Sequence, residues 1–368
     1  MKIEFANSKP LETRLTYVSN DIELPELRVI IRLSQFDESH QCGDLVFDVH
    51  GRSILLKSPS KIHLTNYDEF VGNFGSIQII GCGGDMDNLK SGVMLKEESR
   101  VIRPPTSKNV NDVIGRIGEL REFTRCGKFE TRTREYMPQR GMDKKEAENR
   151  KRNTRKILED IVLHSQTKGT SAIQVPRLIA EGIYPELLDP NGEPLCFQAY
   201  RVPTQRRFPQ SLIEFHLKQD SDFERVSEYI QQFGYRVGSL LSVLHNHHIA
   251  YMDCHAGNLD TLVNSSGKMV LYATDLGSFE EIDSRNPFAY RYRGFDKFMF
   301  FHSVNSYFRA LDESGITGVS FEEVLMPYLL CGFNESYKLC DENIHFQSIL
   351  NLIKRRESML DFADQIRY

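Results

Sequence analysis

Tryptophan is missing altogether from the 368 residues, which removes the largest aromatic surface on which a single strand could stack. Positive charge is not in excess. Lys and Arg number 46 against 51 Asp and Glu, a formal net charge of −5. This argues against a global basic field for nucleic acid and leaves only local basic patches. No two cysteines have C-x-x-C spacing. The seven, at Cys42, Cys82, Cys126, Cys196, Cys254, Cys331 and Cys340, are scattered and odd in number, so structural zinc and thioredoxin-type chemistry have no support. Unpaired thiols fit a reducing compartment. No run approaches the ~18–20 apolar residues that span a bilayer. The opening MKIEFANSKPLETR lacks the apolar core of a signal peptide. The expectation is a cytoplasmic protein with no membrane span.

What is present is a globular composition, 40% hydrophobic and 26% charged, in a chain long enough for two domains or lobes. There is no internal repeat. The first 74 residues mix short strand-like runs, such as LRVIIRL (27–33) and SILLKS (53–58), with turn signals. Residues 75–105 read as strand, glycine turn, strand and a Pro104-Pro105 stop. Over 109–125, Val113, Ile114, Ile117 and Leu120 recur at helical spacing. The segment 131–156 carries ten Lys/Arg against four Asp/Glu. It is either a solvated helix face or a surface for an acidic or phosphate-bearing partner. It leads into a helix whose buried face would include Leu158, Ile161 and Val162. A hairpin with Asn191-Gly192 at its tip fits 175–203. Over 222–248, Val226, Ile230, Phe233, Val237, Leu240, Leu241 and Leu244 define a strong amphipathic helix. Ser320 and Glu323 form a capping box before VLMPYLL, where Pro327 should limit or kink the helix. A last helix is expected over 342–358. Strands followed by helices give an α+β chain of two lobes.

The chemistry concentrates in HHIAYMDCHAGNLDTLVNSSGKMVLYATDLGSFEEI (247–282). Asp253, Asn258 five positions on, and Asp275 in Asp-Leu-Gly stand around a predicted hairpin. A loop leaving a buried helix can aim Asp253 at a hydroxyl about to attack phosphorus. Asn258 offers a neutral oxygen to Mg²⁺. The hairpin returns the chain so that Asp275 offers an anionic one, and the glycine two residues on permits a tight exit. Mg²⁺ takes few protein oxygens and completes its octahedron with phosphates and water. Phosphoryl transfer asks mainly for positioning and charge neutralisation.

Asp253-x-x-x-x-Asn258 followed by Asp275-x-Gly277 resembles the catalytic and metal loops of the protein-kinase-like superfamily. The fuller Asp253-Cys254-His255-Ala256-Gly257-Asn258 is similar to the D-x-H-x-G-N loop of aminoglycoside phosphotransferases, choline-kinase relatives and the coenzyme-Q-associated atypical kinases. The resemblance implies a bilobal kinase-like fold, with an N-terminal extension over 1–74, a β-rich N-lobe over 75–200 and a helical C-lobe over 201–368. The N-lobe would carry a basic insertion over about 105–145. It implies ATP and Mg²⁺ as cofactors, Asp253 as catalytic base, and Asn258 and Asp275 as metal ligands, with His255 orienting the loop. Gln198 to Val202 would be the hinge, so that Gln198, Tyr200 and Val202 meet the adenine. Lys96 in Val93-Met-Leu-Lys96 would pair with the α/β-phosphates, with Lys90 and Lys128 as rivals. Gly83 would belong to the preceding glycine turn. The carboxylate partner of Lys96 would be Glu148, with Glu146 and Glu159 behind it.

The departures narrow this. Tyr251 and Met252 stand where conventional protein kinases carry His-Arg, and no Ala-Pro-Glu follows Asp275. Arg291 and Arg293 are either receptors for an anionic substrate or solvated loop residues. The expectation is an atypical phosphotransferase acting on a hydroxyl of a protein or small molecule. The alternatives are a kinase-fold AMP transferase or adenylate-forming enzyme, and a pseudokinase scaffold.

Overall fold

A computed structural model of the chain describes residues 3–5, 11–20, 22–35, 47–50, 53–57, 76–82, 100–102, 119–123, 129–133, 142–157, 173–189, 191–202, 223–263, 269–283, 285, 289–313 and 325–337. In chain order the elements begin with β1 (Ile3–Phe5), β2 (Arg14–Val18), α1 (Leu24–Gln35), β3 (Phe47–His50), β4 (Ser53–Lys57) and β5 (Ser76–Ile80). Then come β6 (Arg100–Ile102), β7 (Glu119–Phe123), β8 (Phe129–Thr133), α2 (Lys144–Ile157), β9 (Ile173–Gln174), β10 (Arg177–Leu188) and β11 (Pro194–Val202). The remainder is α3 (Phe223–Asn246), β12 (Ile249–Ala250), β13 (Leu259–Val263), β14 (Met269–Ala273), β15 (Glu280–Glu281), α4 (Ala289–Glu313) and α5 (Met326–Ser336). The chain is α+β and divides into two compact units. One holds Met1–Glu119, Thr133–Thr154 and Pro176–Gln205. The other holds Leu120–Arg132, Arg155–Val175 and Arg206–Tyr368.

The first unit is built on a six-stranded antiparallel sheet in the order β2-β10-β11-β5-β4-β3. Three of its strands come from before residue 75, so this sheet is shared with the segment expected to be an extension. Its centre is the hairpin of β10 and β11, closed where Asp189 accepts the N–H groups of Asn191 and Glu193. Gly192 sits at φ +83° with open space around it, as the turn requires. Ile77, Ile79, Ile179, Leu195, Phe197 and Ala199 pack with Ile30 and Leu33 of α1. Full burial stabilises each of those two α1 side chains by about 1.5–3 kcal/mol.

The run LRVIIRL, expected as a strand, is therefore helical. Glu26, Ile30, Leu33 and Ser34 are the buried residues, a 3.6-residue period that the β-branched composition conceals. Pro25 fits the first turn, and Glu26 reaches back to the N–H of Glu23 at 3.2 Å. A second correction concerns 109–125. Residues 119–123 are strand β7, paired with β8, and Val113, Ile114 and Ile117, which carried the helical period, lie outside the described residues.

In the second unit, α3 buries Val226, Ile230, Phe233, Val237, Leu240, Leu241 and Leu244, as the spacing predicts. They pack with Leu329 and Phe333 of α5 and with Phe298, Phe300, Phe301 and Val304 of α4. Contact between α3 and α5 is close enough that a Cβ on Gly332 would lie 2.0 Å from the Gln231 carbonyl oxygen. Pro327 sits in the first turn of α5 and starts that helix instead of limiting it, because no N–H is needed there. The predicted hairpin is β13 and β14, and β9 adds to it in parallel. The capping box at Ser320 and the helix over 342–358 lie outside the described residues.

Candidate active site

The last turn of α3 leads into β12 and then into a segment of unusual backbone. His248 and Met252 have φ of 57° and 59°, a region that costs a non-glycine residue roughly 1–3 kcal/mol. The His248 carbonyl accepts the N–H of Ile282, and what holds Met252 is Asp296 on α4, with no exposed surface. Its two oxygens accept the N–H of Tyr251 and of Met252, each at 2.7 Å. Oδ2 also meets His245 Nε2 at 2.9 Å. His245 Nδ1 lies 2.8 Å from the Tyr337 hydroxyl, which donates if Nε2 carries the ring proton. The ring of Tyr251 stacks on Phe279 at 4.2 Å between centroids.

Beyond this clamp the chain winds through tight turns. The N–H of Asp253 donates to the Tyr251 carbonyl, that of His255 to Asp253 and that of Asn258 to His255, at 2.7–2.8 Å. Side chains alternate as a result. Cys254 and Ala256 are buried, while the side chains of Asp253 and His255 are about a third exposed. Burial pushes the Cys254 thiol well up, and the carboxylates of Asp296 and Asp253 add to it. It stays protonated and is no nucleophile. His255 Nε2 lies 3.7 Å from Asp253 Oδ2, within ion-pair range and beyond hydrogen-bond range.

Asn258 closes the loop. Its Nδ2 donates to the Asp253 carbonyl at 3.1 Å and to Asp253 Oδ2 at 3.2 Å. Its Oδ1 takes no hydrogen bond among the described residues and is free to bind a cation. The Asn258 backbone carbonyl accepts the N–H and hydroxyl of Thr274 at 2.9 and 3.0 Å. With Leu259 paired to Ala273, Asp275 follows directly on the residue bonded to Asn258. Asp275 itself adopts the left-handed conformation, at φ 50° and ψ 53°, and Ser278 Oγ donates to its carbonyl. The tight exit attributed to the following glycine is made by the aspartate, a residue type that tolerates this region. Asp253, Asn258 and Asp275 are thus gathered at one end of the hairpin. Among the described residues no three His, Cys, Asp or Glu side chains group as a metal cage. A hard cation here would need oxygens from its ligand, a fit for Mg²⁺ carried with phosphates.

In the first unit the hinge reading of Gln198, Tyr200 and Val202 fails. Residues 198–201 pair with β10 on one side and β5 on the other, so their peptide groups are committed to the sheet. Val202 pairs with Ser76 and is buried. The side chains are committed as well. Gln198 Nε2 donates to the Ala147 carbonyl at 2.8 Å and to Glu181 Oε2 at 2.7 Å, and Tyr200 Oη donates to Gln198 Oε1. Glu148 projects from the exposed side of α2, whereas Glu146 is buried and holds Arg150 Nε at 3.1 Å. The strand beside β11, away from β10, is Ser76–Ile80, which carries no lysine. Lys96, Gly83, Lys90, Lys128 and Glu159 lie outside the described residues.

Asp296 escaped the reading of the sequence. Its signal was a single acid amid RGFDKFMFF, where Phe295, Phe298, Phe300 and Phe301 are all fully buried. An acid there has to be buried and hydrogen-bonded.

No family model matches the chain, and no curated protein matches it. Among solved structures, WaaP in complex with acyl carrier protein shares 13% identity at a TM-score of 0.38, over 70% of this chain and 92% of that one. A rhoptry kinase from Toxoplasma gondii shares 10% at 0.36, over 88% and 84%. The aerobactin synthetase IucA from Klebsiella pneumoniae shares 10% at 0.28, over 73% and 56%. No helix among the described residues is long and apolar enough to cross a membrane.

Proposed function

We propose that the chain is an ATP- and Mg²⁺-dependent phosphotransferase of atypical kinase type, acting on a hydroxyl of a protein or small molecule. The observation that carries this is the gathering of Asp253, Asn258 and Asp275 at one end of the β13–β14 hairpin, on a loop pinned from below by Asp296. Asp253 accepts the proton of the attacking hydroxyl. The Nδ2 of Asn258 fixes that carboxylate in place, while its Oδ1 and the Asp275 carboxylate hold Mg²⁺. Bound there, Mg²⁺ neutralises phosphate charge. Buried Cys254 and Ala256 keep the underside of the loop dry. Lys96 and Gly83 stay part of the proposal as residues that bind ATP. The exposed Lys145 and Arg152 of α2 offer a surface to an acidic or phosphate-bearing partner, and the working compartment is cytoplasmic.

The test is a titration of MgATP followed by thermal melting, with intact mass read after incubation. The parent melts higher with MgATP, and chelation of Mg²⁺ removes most of the shift. At a hundredfold excess over Kd the stabilisation is about 2.7 kcal/mol. Asp275→Ala weakens binding more than Asn258→Ala, since it removes charge as well as a ligand. A flat melting curve at millimolar MgATP overturns the proposal, and a mass gain of one AMP replaces phosphate transfer with nucleotidyl transfer.

A further inference from the structure

Beneath the catalytic loop, α4 carries a second acceptor. Ser303 lies seven residues after Asp296, two helical turns on and on the same face. Its Oγ accepts the N–H of Ala256 at 2.8 Å and donates to the Phe300 carbonyl at 2.8 Å. With its proton committed within α4, the hydroxyl presents a fixed lone pair to the loop. Ala256 opens the single 3₁₀ turn Ala256–Asn258, and His255, in the N-cap position, makes no side-chain capping bond. The first N–H of a helical turn has no partner inside that turn. Ser303 supplies from another helix the cap that the local sequence lacks.

We propose that Ser303 is a positioning residue for the Asn258 half of the loop, as Asp296 is for the Tyr251–Met252 half. Asp253 lies between the two holds. Asn258 is the last residue of the turn that Ser303 caps, and its own N–H closes that turn on His255. Loss of the Ser303 acceptor therefore frees the metal-binding amide while leaving the segment held by Asp296 in place. The inference rests on the phosphotransferase reading of the site.

The experiment uses the full chain and Ser303→Ala, Ser303→Thr and Ser303→Cys. Two quantities are read: residue-resolved amide exchange, and binding of Mn²⁺ with a non-hydrolysable ATP analogue by electron paramagnetic resonance. In Ser303→Ala the Ala256 amide exchanges about fivefold faster, the loss of one hydrogen bond, while Tyr251 and Met252 keep their rates. Mn²⁺ binds about tenfold more weakly, as when an outer-shell partner is removed. Thr keeps the hydroxyl and restores both readings. Cys, a weak acceptor of similar size, falls between, and it decides the matter if the Ala variant does not fold. Parent-like exchange and Mn²⁺ affinity in Ser303→Ala overturn the assignment. So does equal loosening at Tyr251 and Met252, which marks general destabilisation. A parent that binds no Mn²⁺–nucleotide overturns the site reading itself, whereas a parent that binds it beside variants that bind it equally well overturns Ser303 alone.

Discussion

The Tyr251–Asn258 loop of the second unit and the sheet face beneath α2 in the first are both crowded with polar side chains, but these are used in opposite ways. Under α2, Gln198, Glu181 and Tyr200 bond one another and the Ala147 carbonyl. Arg150 is matched by Glu146. The polar groups close on themselves, and α2 is held on the sheet by hydrogen bonds, where α1 is held by apolar packing and the buried Arg201–Glu26 ion pair at 2.9 Å. At the Tyr251–Asn258 loop the buried carboxylate of Asp296 spends its hydrogen bonds on backbone N–H groups and on His245. That leaves the side chains of Asp253 and His255 partly exposed. A self-satisfied polar network makes structure. A network that satisfies backbone leaves side chains beside it at the surface.

The comparison breaks most visibly at Asp296. Asp296→Ala strands two N–H groups and a histidine, and leaves Met252 unsupported at φ 59°. Truncating one member of a buried charged network costs about 3–5 kcal/mol, to be read from urea unfolding. A loss within 1 kcal/mol, by the rough scale of a single neutral hydrogen bond, would mean that the loop holds its own shape. The next effect is on activity. Asp253→Asn keeps the size and one acceptor but cannot take a proton. Phosphoryl transfer falls ~10²–10⁴-fold, while stability falls by no more than about 1 kcal/mol, the scale of the one side-chain hydrogen bond from Asn258. If Asp253→Asn were as destabilising as Asp296→Ala, the division between holding and reacting residues would be lost.

That division also explains what the sequence disclosed. Asp253, Asn258 and Asp275 stood out by residue type and spacing, and the β13–β14 hairpin was legible because strand-like runs flank Asn264-Ser-Ser-Gly267. The α3 helix was legible because its apolar period is uninterrupted. Asp296 was not, since its role depends on a contact 44 and 45 residues away. The helix at 27–33 was hidden by Val29, Ile30 and Ile31, whose β-branching favours strands until the sheet below selects the 3.6-residue face. The hinge was misplaced for a related reason. A largely apolar strand such as PLCFQAYRV reads the same whether it is at an edge or at a sheet centre, and only β5, more than a hundred residues earlier in the chain, makes β11 central.

The polar face of the first unit gives a smaller effect. Gln198→Leu removes two donors and one acceptor at a fully buried position, leaving the Ala147 carbonyl, Glu181 and the Tyr200 hydroxyl short of a partner. Glu181 keeps Thr16 and Lys151 and the Ala147 carbonyl keeps its helical N–H, so the stranded Tyr200 hydroxyl carries the cost, about 1–3 kcal/mol. The loss is to be measured by chemical denaturation alongside MgATP binding. Unchanged nucleotide affinity with reduced stability keeps Gln198 structural. Lost affinity with unchanged stability would return it to the nucleotide site.

The smallest effect distinguishes this face by pH. Cys196, bridged to Met142 and half of the β10–β11 pairing, has its thiol pushed up to about 12, chiefly by burial and then by the carboxylates of Glu181 and Asp143. In the unfolded chain the same thiol ionises near 8.5. The unfolded state therefore sheds a proton that the folded state keeps. The stability tied to Cys196 is complete below about pH 8.5 and is lost as pH rises toward 12, at no more than about 1.4 kcal/mol per pH unit. Tyr184, Tyr200 and Cys254 are also raised by burial, so the parent weakens in alkali for several reasons at once. Cys196→Ala removes one of them. Urea unfolding at pH 8 and pH 9.5 should show the variant losing about 1 kcal/mol less than the parent over that interval. Parallel losses in the two proteins would place the Cys196 thiol in contact with solvent. The network under α2 would then be open where the comparison requires it to be closed.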